Sequence, residues 1–313
     1  MRKLLLNFIC IFIPSKDLRH EIRMKYCLSK YDYLINLIKI TNDITALPPA
    51  RGNSRLQQLA SAKLLGLVDM ICRKYDIKYW LHYGTLIGAI RHKGFIPWDD
   101  DIDICMMRHD YEKFFKITTK LFKNTDFHLT TGEFLKVCYK DIPIWVDIFP
   151  FNQYFKPLNT KKEISKLQKD IKKAHSKFHF KKSNIDKDKY IRVKHCKKTY
   201  EEICKISNDI VMKNNKPVKN GEIFLGIEAG NADKIFYKPD EIFPLKEYVF
   251  ENYKLKGPNN ADIVLQKYFG DIYSYPSDII PSHIKSKFDI EVVKEMEAFL
   301  KLDNKAIMKK FTK

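Results

Sequence analysis

The residues best suited to chemistry lie between His82 and Ile104. Four carboxylates, Asp99, Asp100, Asp101 and Asp103, fall within five positions. Like charges so close repel one another unless protons or a cation intervene. The spacing predicts a strand over Trp98–Met107, whose alternation would set Asp99, Asp101 and Asp103 on one face and Asp100, Ile102 and Ile104 on the other. Residues two apart on a strand are separated by roughly 6.5–7 Å, so such carboxylates can converge on one hard cation. Oxygen-only ligation with no cysteine nearby favours Mg2+ or Mn2+ over Zn2+. A further acid, Asp147, stands alone in the apolar run Trp145-Val146-Asp147-Ile148-Phe149-Pro150. A buried carboxylate without a partner is strongly disfavoured, so this one needs a metal or a base. Plainer readings exist: a solvated turn for the acidic run, a strand end in water or a salt bridge for Asp147. An EF-hand is excluded, because its helix–loop–helix spacing of acids is absent.

Upstream of the acids, Gly84-Thr85 and then Gly88 would let backbone approach a phosphate at a helix N-terminus, although a simple helix cap looks the same. Arg91, His92 and Lys93 follow, bases that can neutralise a diphosphate or, for His92, move a proton. A phosphate turn, a basic cluster and a carboxylate cluster side by side point to metal-assisted phosphoryl chemistry.

The elements that must hold these residues can be read from periodicity. Leu56, Leu59, Ala60, Leu64, Leu67, Val68, Ile71 and Tyr75 recur at helical spacing, with Ser54 as the expected cap and an end near Asp76. A short strand is expected over 77–83, a helix from Thr85, and a second helix over 110–122 with Tyr111, Phe114, Phe115, Thr118 and Leu121 inward. Strands 127–131 and 135–139 flank Gly132 like a hairpin, and a third strand, 144–149, is expected to end at Pro150. After Pro217, strands and turns lead to a helix over 262–269 that stops at Gly270, and residues 291–311 read as one peripheral basic helix. The fold class expected is therefore α+β, a mixed sheet with flanking helices. It divides into an N-terminal segment (1–50), a core (54–155), a Lys-rich helical insertion (156–215) and a C-terminal region completing the site (216–313).

Composition bounds the partners. The chain has 313 residues and a formal net charge of +19, so an anionic partner is plausible, although a general enrichment in lysine explains the charge equally well. Residues 156–198 hold sixteen Lys/Arg against four Asp/Glu and read more simply as a solvated helical face than as a nucleic-acid surface. The apolar stretch Leu4–Pro14 is too short to span a bilayer. The bases after it suit a segment lying on an anionic membrane surface, and an ordinary packed helix is the other reading. Seven scattered cysteines without a C-x-x-C motif suggest reduced thiols in a cytoplasmic protein and argue against structural zinc.

The stretch from Tyr83 to Asp103, with Met107–Phe114, Val146–Pro150 and, more loosely, Tyr268–Asp271 with Pro276, resembles the LicD/fukutin family. The likeness covers residues 56–151 well and 243–285 in part. It implies a nucleotidyltransferase-like fold that moves a phospho-alcohol, most commonly phosphocholine, from a CDP-linked donor such as CDP-choline to a hydroxyl of a glycan or glycolipid. Ribitol or glycerol phosphate transfer and nucleotide addition are alternatives on the same fold, and a non-catalytic basic binding protein is the alternative outside it. By position, Asp101 and Asp103 fall on the metal-binding pair, Asp147 on the third carboxylate, Asp99 on an additional acid, and Gly84-Thr85 on the small-residue turn. Arg91 and Lys93 are the expected donor-phosphate bases, and nucleic acid is not an expected partner. Asn152 and Phe269-Gly270 depart from the family pattern, which often has an acid at the first place and Tyr-Gly at the second.

Overall fold

One strand, Trp145–Tyr154, organises the sheet. In the computed structural model, residues 43–131, 134–155, 222–227, 235–276 and 288–311 are described, with isolated positions at 166, 205 and 209. The N-terminal apolar segment and, apart from Lys166, the Lys-rich stretch 156–198 lie outside the described residues. The elements run α1 (Gly52–Lys74), β1 (Trp80–Leu81), α2 (Tyr83–Arg91), β2 (Asp103–Met107), α3 (Arg108–Leu121), β3 (Phe127–Thr131), β4 (Leu135–Tyr139) and β5 (Trp145–Tyr154). They continue with β6 (Phe224–Ile227), α4 (Pro239–Ile242), β7 (Lys246–Phe250), β8 (Tyr253–Gly257), α5 (Ala261–Phe269), α6 (Ile290–Lys301) and α7 (Asn304–Phe311). Residues 43–47 and 273–276 belong to a separate unit, in which Asp43 caps a short turn by accepting from the Thr45 amide and hydroxyl.

The strand order is β1-β2-β5-β4-β3, with β6 also on β5 and a separate β7–β8 hairpin. β2 and β5 are parallel and the other pairs antiparallel, so this is a mixed α+β sheet with flanking helices. Register decides what faces what. Ile104, Ile148 and Leu135 form one row across β2, β5 and β4, and all three are fully buried. The adjacent row, Asp103, Asp147 and Lys136, points to the opposite face.

Four expectations are corrected. Strand β2 begins at Asp103, so Asp99–Ile102 is an irregular approach outside the strand. Pro150 does not end β5. The Asp147 amide donates to the Ile102 carbonyl (2.7 Å), so by alternation the nitrogen of residue 150 faces the other edge. There β4 has already ended opposite Ile148 and β6 begins only opposite Phe151, so the missing N–H falls in a gap. Helix α1 starts before Ser54: Gly52, at φ +59°, turns the chain in, and the N-cap is Arg51 without a side-chain bond. The C-terminal stretch is two helices and is not peripheral. Asp303 caps the second, accepting from the amides of Lys305 (3.0 Å) and Ala306 (3.3 Å). Met296 and Phe299 are fully buried, and Lys63 of α1 donates to the Leu300 carbonyl (3.0 Å). No described helix is long and apolar enough to cross a membrane.

Candidate active site

The carboxylates are placed from both ends of the site. The first turn of α2 lies against β2: the Asp103 amide donates to the Thr85 hydroxyl (2.8 Å) and the His82 amide to the Asp103 carbonyl (3.1 Å). Gly84 sits where a Cβ would stand 2.5 Å from Asp99 Oδ2, so a larger residue there would displace that carboxylate. Helix α1 supplies two buried amides. Gln58 Nε2 donates to the carbonyls of Asp99 (2.7 Å) and Ile96 (3.3 Å), and Gln57 Nε2 to that of Pro143 (2.9 Å), which precedes β5. Thus one helix steadies both acid-bearing segments.

From the other side, Glu251, in the turn of the β7–β8 hairpin, receives both Arg55 guanidinium nitrogens (2.7 and 2.8 Å) and the Phe95 amide (3.2 Å). Its own amide donates to the Lys93 carbonyl (2.8 Å). A Cβ on Gly94 would collide with the Glu251 carboxylate. The loop leading into the acids is therefore fixed by a charge-assisted clamp.

Oxygens of Asp101, Asp103 and Asp147 lie within 4.8 Å of one another, and so do those of Asp99, Asp100 and Asp101. Asp101 is common to both sets. Asp100 is therefore not turned away as strand alternation predicts; it is buried beside Asp99 and Asp101 because this stretch is not a strand. Lys136 Nζ stands 2.7 Å from Asp147 Oδ1 and 2.8 Å from Oδ2; its hydrogen bond runs to Oδ2, and buried Oδ1 stays outside hydrogen-bonding geometry.

The electrostatics are those of crowded acids. Burial, then the neighbouring Asp101, pushes the Asp99 carboxyl well above the usual carboxylate range. Burial does the same for Asp103, reinforced by Asp101, Asp147 and Asp99. Asp147 is raised to about 7 by burial, with Lys136 opposing. Three converging carboxylates, one bearing a buried oxygen outside hydrogen-bonding geometry, fit a hard divalent cation such as Mg2+ or Mn2+, which would relieve the repulsion that protons otherwise relieve.

The expected phosphate residues are arranged differently from one another. Gly84 and Thr85 lie at the acids, Thr85 buried and engaged with the Asp103 amide. Arg91 donates to His92 Nε2 (2.9 Å) and to the Ile272 carbonyl, and lies 5.9 Å over the Trp98 ring. His92 is lowered to about 4, by burial and then by Arg91, and is held as a neutral acceptor. Lys93 is exposed and donates to the Ile90 carbonyl (3.2 Å). Sequence reasoning missed Gln57, Gln58, Glu251 and Lys136; only register and tertiary contact bring them to the acids. A pocket of about 910 Å3 lies away from the acids, against Cys72, Tyr79, Phe243 and Pro244, and has no carboxylate of either cluster in its lining.

The nucleotidyltransferase domain of the LicD/FKTN/FKRP family matches residues 76–191, which include all five acids. The chain is 31% identical over 270 residues to the lipopolysaccharide cholinephosphotransferase LicD of Haemophilus influenzae, covering 75% of this chain and 97% of that protein. It is also 34% identical over 100 residues to an uncharacterized protein of Rickettsia typhi, 32% of this chain and 31% of the relative. A protein of Rickettsia prowazekii, likewise uncharacterized, is 60% identical over 37 residues, 12% of this chain and 14% of the relative. With its acids set in two adjoining strands and the loop before them, and with a relative matched over nearly its whole length, the chain belongs to the LicD/FKTN/FKRP family.

Proposed function

We propose that the chain transfers a phospho-alcohol from a CDP-linked donor to a hydroxyl of a cell-surface glycan or glycolipid, releasing CMP. Phosphocholine is the group that the Haemophilus influenzae cholinephosphotransferase supports, and CDP-choline is the donor this reading assigns to it. The observation that carries the reading is the convergence of Asp101, Asp103 and Asp147 within 4.8 Å. A divalent cation held by these three would neutralise the donor diphosphate and make its phosphorus more electrophilic. Gly84 lets the Asp99 carboxylate lie against the first turn of α2, and Thr85 fixes the backbone of Asp103. The acceptor oxygen forms a bond to the phosphorus bearing the alcohol as the bond to the bridging oxygen breaks. CMP leaves with that electron pair, and the hydroxyl proton passes to a carboxylate oxygen of Asp147. Positioning and charge complementarity account for most of the acceleration in such reactions.

The test is CMP release from CDP-choline, CDP-ribitol and CDP-glycerol with purified glycan, for the wild type and Asp103→Asn. The expected result is divalent-cation-dependent release from one of these donors and its loss in the variant. Full turnover in Asp103→Asn removes the carboxylate assignment. Label incorporated from nucleoside triphosphates, with none from the CDP-alcohols, replaces the reading with nucleotide addition.

A further inference from the structure

A cation stands beside the carboxylates that the reaction just described does not use. Lys136 on β4 is the register partner of Asp147, which is the register partner of Asp103, so the three side chains form one row across three strands. Its ammonium contacts both oxygens of Asp147. It also lies 5.0 Å from the centre of the Phe134 ring and 5.2 Å from that of Trp145, so two aromatic rings bracket it. The side chain remains 35% exposed, which leaves its head able to move. The bases expected to meet a phosphate are engaged elsewhere: Arg91 with His92 and the Ile272 carbonyl, Lys93 with the Ile90 carbonyl.

We infer that Lys136 is the residue that receives the donor's diphosphate, and that its bond to Asp147 is the resting partner it gives up. This rests on reading Asp101, Asp103 and Asp147 as a divalent-cation site. Without such a cation, the lysine partly balances the acids. With one among them, two positive groups share Asp147, and an incoming diphosphate restores the balance. An ammonium is a strong point-charge partner for phosphoryl oxygens. The two rings keep the lysine at the site while it exchanges one anion for the other.

Titration calorimetry on the full chain, with Mn2+ and CDP as probes, tests this. Wild type should bind Mn2+ and, in its presence, CDP. Lys136→Met should bind CDP more weakly by on the order of tenfold to a hundredfold, the loss of one charge-assisted hydrogen bond. Its Mn2+ affinity without nucleotide should be unchanged or tighter, because a competing cation is gone. Lys136→Arg, which keeps the charge, should stay within about fivefold of wild type for CDP. Should Lys136→Met melt early, Lys136→Gln carries the same test. CDP binding like wild type in the uncharged variant overturns the inference. So does loss of Mn2+ binding together with CDP binding, which would leave the lysine as a brace for Asp147. Failure of the wild type to bind Mn2+ refutes the cation-site reading itself and is seen before any variant is compared.

Discussion

Gly84→Ala separates the architecture of the site from its stability. The new Cβ would stand 2.5 Å from Asp99 Oδ2, where ordinary contact begins at about 3.4 Å, so the carboxylate must retreat by roughly 0.9 Å. The obstacle is the end of an aspartate side chain, which can rotate away. Helix α2 itself gains part of the about 0.8–1 kcal/mol by which alanine is favoured over glycine in a helix interior, Gly84 being its second residue. The two effects offset in the folded protein, and melting should move by no more than about 2–4 °C. They do not offset in the site, where a displacement of this size can reduce turnover by about a hundredfold. The assay is CMP release as a function of Mn2+ concentration, with a melting curve on the same sample. Wild-type turnover with an unchanged Mn2+ midpoint would refute the reasoning, because Asp99 could then leave without consequence. A melting loss above about 8 °C would also refute it, by showing the glycine to be a packing device.

Further outcomes are open to the same preparations. Asp147, raised to about 7, and Asp99 and Asp103, also raised, are protonated more readily folded than unfolded. Stability from such groups is fully present below the unfolded carboxylate range and is lost as pH rises through the folded value. His82 and His92, held neutral by burial, work the other way only below about pH 6.5. The metal-free protein should therefore melt progressively lower between about pH 6.5 and pH 8, and Mn2+ should raise melting more at pH 8 than at pH 6.5. A metal-free melting point that rises over this range contradicts the crowding argument. Gln58→Leu strands two carbonyls, those of Asp99 and Ile96. It should lower stability by about 2–4 kcal/mol by denaturant titration and reduce turnover as well; an unchanged unfolding midpoint would show that water replaces the amide.

Much of the fold was legible where local chemistry decides it. The β3–β4 hairpin lies where the alternation about Gly132 puts it, and α5 stops at Gly270, which adopts φ +70°. Tyr111, Phe114, Phe115 and Thr118 are the buried face of α3. Where alternation was read as a strand at Asp99–Ile102, the pattern could not show that β1 supplies partners only for Ile104 and Cys105. The acids converge there through an irregular approach held by Gln58, a contact 41 residues apart that no period encodes. Nothing in the sequence marks Lys136 within its strand, because its partner is set by register. The C-terminal amphipathic pattern showed an apolar face but not that α1 covers it.

The clamp at Glu251 bears on what the family domain means physically. The matched span, 76–191, holds the acids, yet Arg55 and Gln58 lie before it and Glu251 after it. The span of the domain signature is smaller than the mechanical unit. A hairpin bound to the Phe95 amide and the Lys93 carbonyl acts as a lever on the acid loop. Lengthening or retwisting it would shift the acids as a group while leaving every one of them in place. Descent can therefore retune this centre from residues that an inspection of the signature alone would pass over.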